Sequence, residues 1–142
     1  MYPGSRLFVA IALLGILTGC AAVQDPRERA IELRPGEPYQ VMAPGAYLFT
    51  FTLDAPARVV LESETFPGDH ATTPAGVLRD SEGQIVTRDW TSGRGSNFRI
   101  EERLAAGTWY LRTHDLHACL SVLRCPDQDH RYWVHLRLDE AP

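Results

Sequence analysis

The chain has 142 residues, of which 44% are hydrophobic and 23% charged, a composition that suits one globular domain with its own core and excludes disorder over most of the length. The formal net charge is −4, all 14 basic residues are arginine, and acids and arginines interleave along the chain. No continuous basic stripe is left to track phosphates, so nucleic acid is a poor partner.

The first predicted element is a leader over residues 1–19. Arg6 and the amino terminus supply positive charge ahead of an uncharged apolar run, Leu7 to Leu17, of 11 residues. As a helix that run covers about 17 Å, well short of a ~30 Å hydrocarbon core. It reads as an export signal before a permanent transmembrane helix. The run ends in Leu17-Thr18-Gly19-Cys20, which resembles the lipobox of bacterial lipoproteins: an aliphatic residue three positions before the cysteine, with small residues between. The resemblance implies a diacylglycerol on the Cys20 sulfur, cleavage after Gly19 and a membrane-anchored, acylated N-terminus. Two or three acyl chains hold firmly, because each buried methylene adds ~0.8 kcal/mol. Ala21 in place of Asp after the cysteine implies the outer membrane, facing the periplasm, in a Gram-negative host. Ordinary signal cleavage near Ala21 or Ala22 is the alternative. Processing at Cys20 leaves 123 residues and, with Arg6 lost, a formal charge of −5. Residues 20–29, polar and containing Pro26, read as an acylated tether, and residues 30–142 as the folded domain.

From Ala30 onward the hydrophobic period is two. Tyr47, Phe49, Phe51 and Leu53 alternate with Leu48, Thr50 and Thr52, and Val59, Leu61 and Ser63 with Val60, Glu62 and Glu64. Phe98 and Ile100 follow the same rule, as do Trp109, Leu111 and Thr113, and finally Tyr132, Val134, Leu136 and Leu138. Alternate strand side chains point to opposite faces, so each set predicts one buried face. Between the sets stand Pro35-Gly36, Pro44-Gly45, Pro67-Gly68-Asp69, Asp80-Ser81-Glu82-Gly83, Ser92-Gly93-Arg94-Gly95 and Ala106-Gly107. Proline presets the turn dihedral and glycine supplies positive φ, so these are turns. Short strands at this spacing predict an antiparallel β-sandwich. The stretch Glu101 to Ala105 reads as a strand end leading into a turn, ahead of a helical turn.

The order of these segments, and above all Leu104-Ala105-Ala106-Gly107-Thr108-Trp109-Tyr110-Leu111-Arg112, resembles the bacterial pre-peptidase C-terminal domain over residues 37–138. The resemblance implies an all-β, jelly-roll-like sandwich of about eight strands. Such modules accompany secreted enzymes and are implied to help secretion or to bind proteins or polysaccharide. No enzyme domain adjoins it in this sequence, so a standalone binding role in the envelope is the expectation.

Cys119 and Cys125 are the other two cysteines. In an oxidising compartment the pair reads as a disulfide, which in the chain-entropy model stabilises by roughly 2.4 kcal/mol. A metal pair with His114 and His117, or a redox thiol, are the alternatives; the redox motif needs a closer spacing. His114-Asp115-Leu116-His117 and Asp127-Gln128-Asp129-His130 form the densest set of potential metal ligands, but no zinc spacing is present and solvated loop residues are the expectation. Asp80-Ser81-Glu82-Gly83 lacks the ligand series of a calcium loop and reads as a hairpin turn. Ser92 and Ser96 lie in no nucleophile elbow, and Ser92 to Ser96 lacks the strand-to-helix setting of a phosphate loop. Trp90, with Arg94 in the same turn, is the candidate ligand contact. Its ring reads first as a lid folded over the sandwich edge, and second as a platform for a sugar or an anchor for a protein.

These residues predict no catalytic set, no metal and no cofactor. The expectation is a lipid-anchored, non-enzymatic module that binds an envelope protein or a polysaccharide. A structural or secretion-assembly lipoprotein is the second reading, and a metal-dependent hydrolase the third.

Overall fold

The computed structural model describes residues 25–42, 45–69, 71–116 and 131–139. The leader, Cys20, Cys119, Cys125, His117, Asp127, Asp129 and His130 lie outside them. The described residues form a 3₁₀ turn, Pro26–Arg29, and nine strands: β1 Ile31–Glu32, β2 Tyr39–Met42, β3 Ala46–Leu53, β4 Ala57–Thr65, β5 Pro74–Arg79, β6 Ile85–Asp89, β7 Arg99–Leu104, β8 Gly107–Asp115 and β9 Arg131–Asp139. They make two packed sheets, one of five strands in the order β1-β3-β8-β5-β6 and one of four in the order β2-β9-β4-β7.

The alternation places most inward side chains as expected, though Leu138, near the end of β9, is 38% exposed. Phe49, Phe51, Leu53, Val59, Leu61, Phe98, Ile100, Leu111, Tyr132, Val134 and Leu136 are all buried in one core between the sheets. Of the two Trp-Tyr pairs, Tyr132 points inward and is fully buried, while Trp133 faces the outer side of the four-stranded sheet. Trp109 packs against the core edge and its indole N–H donates to the Ala105 carbonyl at 3.1 Å. Gly107 opens β8 with φ 139°, a dihedral that a side chain resists. Glu101 to Leu104 is strand, as expected.

Val60 breaks the pattern instructively. It points to the outer face, yet only 2% of it is exposed. Arg58, Glu101, Arg99, Glu62 and Arg137 join hands across β7, β4 and β9 on that face, and arginine stems shield apolar surface beneath their charged heads.

Two details go beyond what the sequence pattern predicts. The sandwich is not wholly antiparallel: β1, two residues long, pairs with β3 in parallel through Ile31 opposite Phe49. So short a strand carries no readable period; with it the described residues form nine strands, against about eight expected. Residues 25–29, the last of the expected tether, also contact the sandwich. Asp25 caps the 3₁₀ turn by accepting from the Arg27 N–H at 3.0 Å, and the Arg27 guanidinium donates to the Ser81 carbonyl in the β5–β6 turn at 2.8 Å.

The strands run between two unlike ends. Turns 54–56, 80–84 and 105–106 close one end. Connections 66–73 and 90–98, with the end of β8 and the start of β9, form the other.

Candidate binding site at one end of the sandwich

The second end is built by polar side chains that replace the backbone ladder. Asp89, at the end of β6, accepts from the Ser92 hydroxyl at 2.6 Å, the Ser92 N–H at 3.0 Å and the Arg99 N–H at 2.9 Å. Burial pushes this carboxyl up, but the Ser92 and backbone hydrogen bonds outweigh it and hold it below the usual Asp range. The bond to Arg99 ties β6 of one sheet to β7 of the other.

Behind this corner lies a buried network. The Ser63 hydroxyl donates to Asn97 Oδ1 at 2.8 Å and accepts from the Phe98 N–H at 3.1 Å. The Asn97 amide donates to Thr65 Oγ1 at 3.1 Å and to the Arg94 carbonyl at 2.7 Å. Gly93 fits closely against this segment: a Cβ there would lie 2.8 Å from the Asn97 carbonyl oxygen and 2.9 Å from that of Phe98. On the other connection, Asp69 accepts from the Ala71 N–H at 2.9 Å and the Thr72 N–H at 3.1 Å. Asp115, inside the core end of β8, accepts from the Thr73 N–H at 2.9 Å. All five buried polar residues among those described, Ser63, Thr72, Asn97, Thr113 and Asp115, belong to this end.

Between the two connections opens a cleft of about 580 Å³, lined by Phe66–Asp69, Arg94–Asn97 and the outward side chains of Glu62, Glu64, Arg99 and Arg137. Most of its charges are already paired. Glu62 accepts from Arg99 at 2.9 Å and from Arg137, and Glu64 stands 3.0 Å from His135 Nε2. Glu101, just outside, is held below the usual Glu range by hydrogen bonds from Arg99 and then Arg58. The guanidinium of Arg94 has no acid partner among the described residues.

Trp90 is not the lid that the sequence suggested. It is 47% exposed and stands one residue past the Asp89 clamp. The lid is instead Phe98, fully buried and pressed against Gly76, where a Cβ would approach its ring to 2.8 Å. Ile85 and Val86, 45% and 43% exposed, stand at the start of edge strand β6, beside the 80–84 turn and at the other end of that strand from Trp90. Register shifts between Leu78 and Arg79 where β5 meets β6, leaving Val86 as the extra residue of a bulge.

The remaining candidates separate. His114 and Asp115 occupy consecutive positions on β8 and so point to opposite faces, which keeps them from one ion. Among the described residues no three His, Cys, Asp or Glu side chains cluster as metal ligands. Asp80 accepts from the Glu82 N–H at 2.9 Å and the Gln84 N–H at 2.8 Å, as a hairpin turn requires. The Ser92 hydroxyl is occupied by Asp89. Asp89 and Asn97 escaped the sequence reading, although an Asp followed within three residues by Ser or Thr is an available signal for a side-chain-closed turn.

No protein-family model and no curated protein matches the sequence. Among solved structures, the chain is similar to the pre-peptidase C-terminal domain of collagenase from Bacillus anthracis, with TM-score 0.57 and 11% identity over 76% of this chain and 94% of that one. A looser match, with TM-score 0.41 and 10% identity over 78% of this chain and 96% of that one, is to the Aeromonas hydrophila periplasmic inhibitor of g-type lysozyme, PliG. The expected likeness to the pre-peptidase C-terminal domain therefore holds at the level of the fold.

Proposed function

We propose that this chain is a lipid-anchored protein of the cell envelope whose β-sandwich binds a partner without catalysing a reaction. The anchor is Cys20, and the closed pair Cys119–Cys125 leaves that thiol for lipid. The observation that carries the binding reading is Trp90: a large ring held in water on a connection whose backbone Asp89 has already ordered. Ordering a loop before binding lowers the entropic cost of complex formation, and an exposed aromatic on such a loop is a common interface anchor.

Of the two partner classes, a protein suits the surface better. An exposed tryptophan with an arginine on the same connection matches the residue types enriched at protein interfaces. Arg94, without an acid partner among the described residues, adds a cation at the rim for an acidic group on that protein.

Crosslinking in cells through a photoreactive residue at Thr91 should recover one envelope protein, and Trp90→Ala should abolish the recovery while leaving thermal stability nearly unchanged. Retention on a polysaccharide panel that Trp90→Ala removes, with no crosslinked protein, would replace the protein by a glycan. The absence of both signals would overturn the binding reading. For the anchor, labelled palmitate should enter the wild type and fail to enter Cys20→Ala.

A further inference from the structure

We infer that the sandwich is held with the 3₁₀ turn and the β5–β6 turn against the membrane, so that the cleft and Trp90 point away from it. This rests on the proposed lipid anchor at Cys20. From Cys20 to Asp25 there are five residue steps, which span at most ~18 Å when fully extended. Asp25 is not free to add to that reach. Its carboxylate grips the Arg27 side chain at 2.8 Å, the Arg27 guanidinium is bonded to the Ser81 carbonyl, and the turn packs on β3. Where the chain leaves the domain is therefore defined by two separate parts of the fold.

That exit lies at the turn-closed end, on the outer face of the five-stranded sheet, close to Tyr110 and the β5–β6 turn. The cleft lies at the opposite end and on the outer face of the other sheet. Nine-residue strands such as β4 and β8 separate the ends by about 30 Å at ~3.3 Å per residue. A tether of ~18 Å cannot carry the exit point far enough for the domain to roll over and bring the cleft to the lipid. The surface around Ser81 and Glu82 meets the bilayer headgroups, and the cleft end is left for a partner from the aqueous side.

The test uses the full lipidated chain in vesicles of phosphatidylethanolamine and phosphatidylglycerol carrying a headgroup nitroxide quencher. A coumarin amino acid is placed at Ser81 or at Thr91. Quenching at Ser81 should exceed that at Thr91 at least threefold, and inserting ten Gly/Ser residues between Ala22 and Val23 should remove most of the difference. Equal quenching at both sites in protein that floats with the vesicles would overturn the orientation and leave the anchor standing. Protein that does not float, with neither site quenched, would remove the anchor and the orientation with it.

Discussion

The two ends of the sandwich solve the same problem with different chemistry. At the turn-closed end, connections of two to five residues (54–56, 80–84 and 105–106) pass the chain between strands, and the core behind them is hydrocarbon. Leu53, Ala57, Leu104 and Leu78 lie there, and no buried polar side chain does among the described residues. At the cleft end the connections are longer, the backbone ladder stops sooner, and Asp69, Asp89, Asn97, Ser63 and Asp115 supply the missing acceptors and donors. A buried polar network that is satisfied orders a loop, whereas an apolar one would merely collapse beneath it. Stability at one end comes from area removed from water; shape at the other comes from hydrogen bonds.

Glycine substitution separates the two ends most sharply. Gly93→Ala forces a Cβ onto two carbonyl oxygens with no side chain to give way, and should lower the unfolding free energy in urea by about 3 kcal/mol. Gly83→Ala at the other end meets no atom and carries only the strain of φ 86°, so about 1 kcal/mol is expected. Equal losses would erase the distinction.

Alkali acts on the polar end through Tyr132. Burial pushes its phenol up to about 12, against the stabilising effect of its hydrogen bond to Thr113 on the charged form. The proton is held more tightly folded than unfolded, so stability is constant below about pH 10 and falls as pH rises from there to about 12, by roughly 3 kcal/mol in total. Tyr132→Phe should flatten that fall in denaturant melts taken across the range. It should also cost about 1 kcal/mol at neutral pH, where Thr113 loses its partner.

Asn97→Ala removes one acceptor and two donated bonds from the buried network, and about 2 kcal/mol is expected. Amide exchange should quicken in 90–98 and remain unchanged in 80–84. The smallest change in stability belongs to Trp90→Ala, within about 0.5 kcal/mol by calorimetry, since an exposed ring contributes little to the core.

Much of this was legible in the sequence. The inward sets Phe49-Phe51-Leu53, Val59-Leu61-Ser63 and Tyr132-Val134-Leu136 were readable because side-chain direction follows from a local period of two. Ser63 was readable as an inward position, but its partner Asn97 is 34 residues away, so its place in a buried network was not. Trp90 was misjudged because the lid role went to Phe98, eight positions later on the other side of a turn, once Gly76 made room for that ring.

Local alternation and turn chemistry thus determined the sandwich, its core faces and most of its turns, since each depends on neighbours in the chain. Only the tertiary structure decided the strand order, the cleft, the exposure of Trp90 and the docking of Arg27 on Ser81. Those depend on pairs such as Arg27 with Ser81, 54 residues apart, and no local period encodes which distant groups will meet.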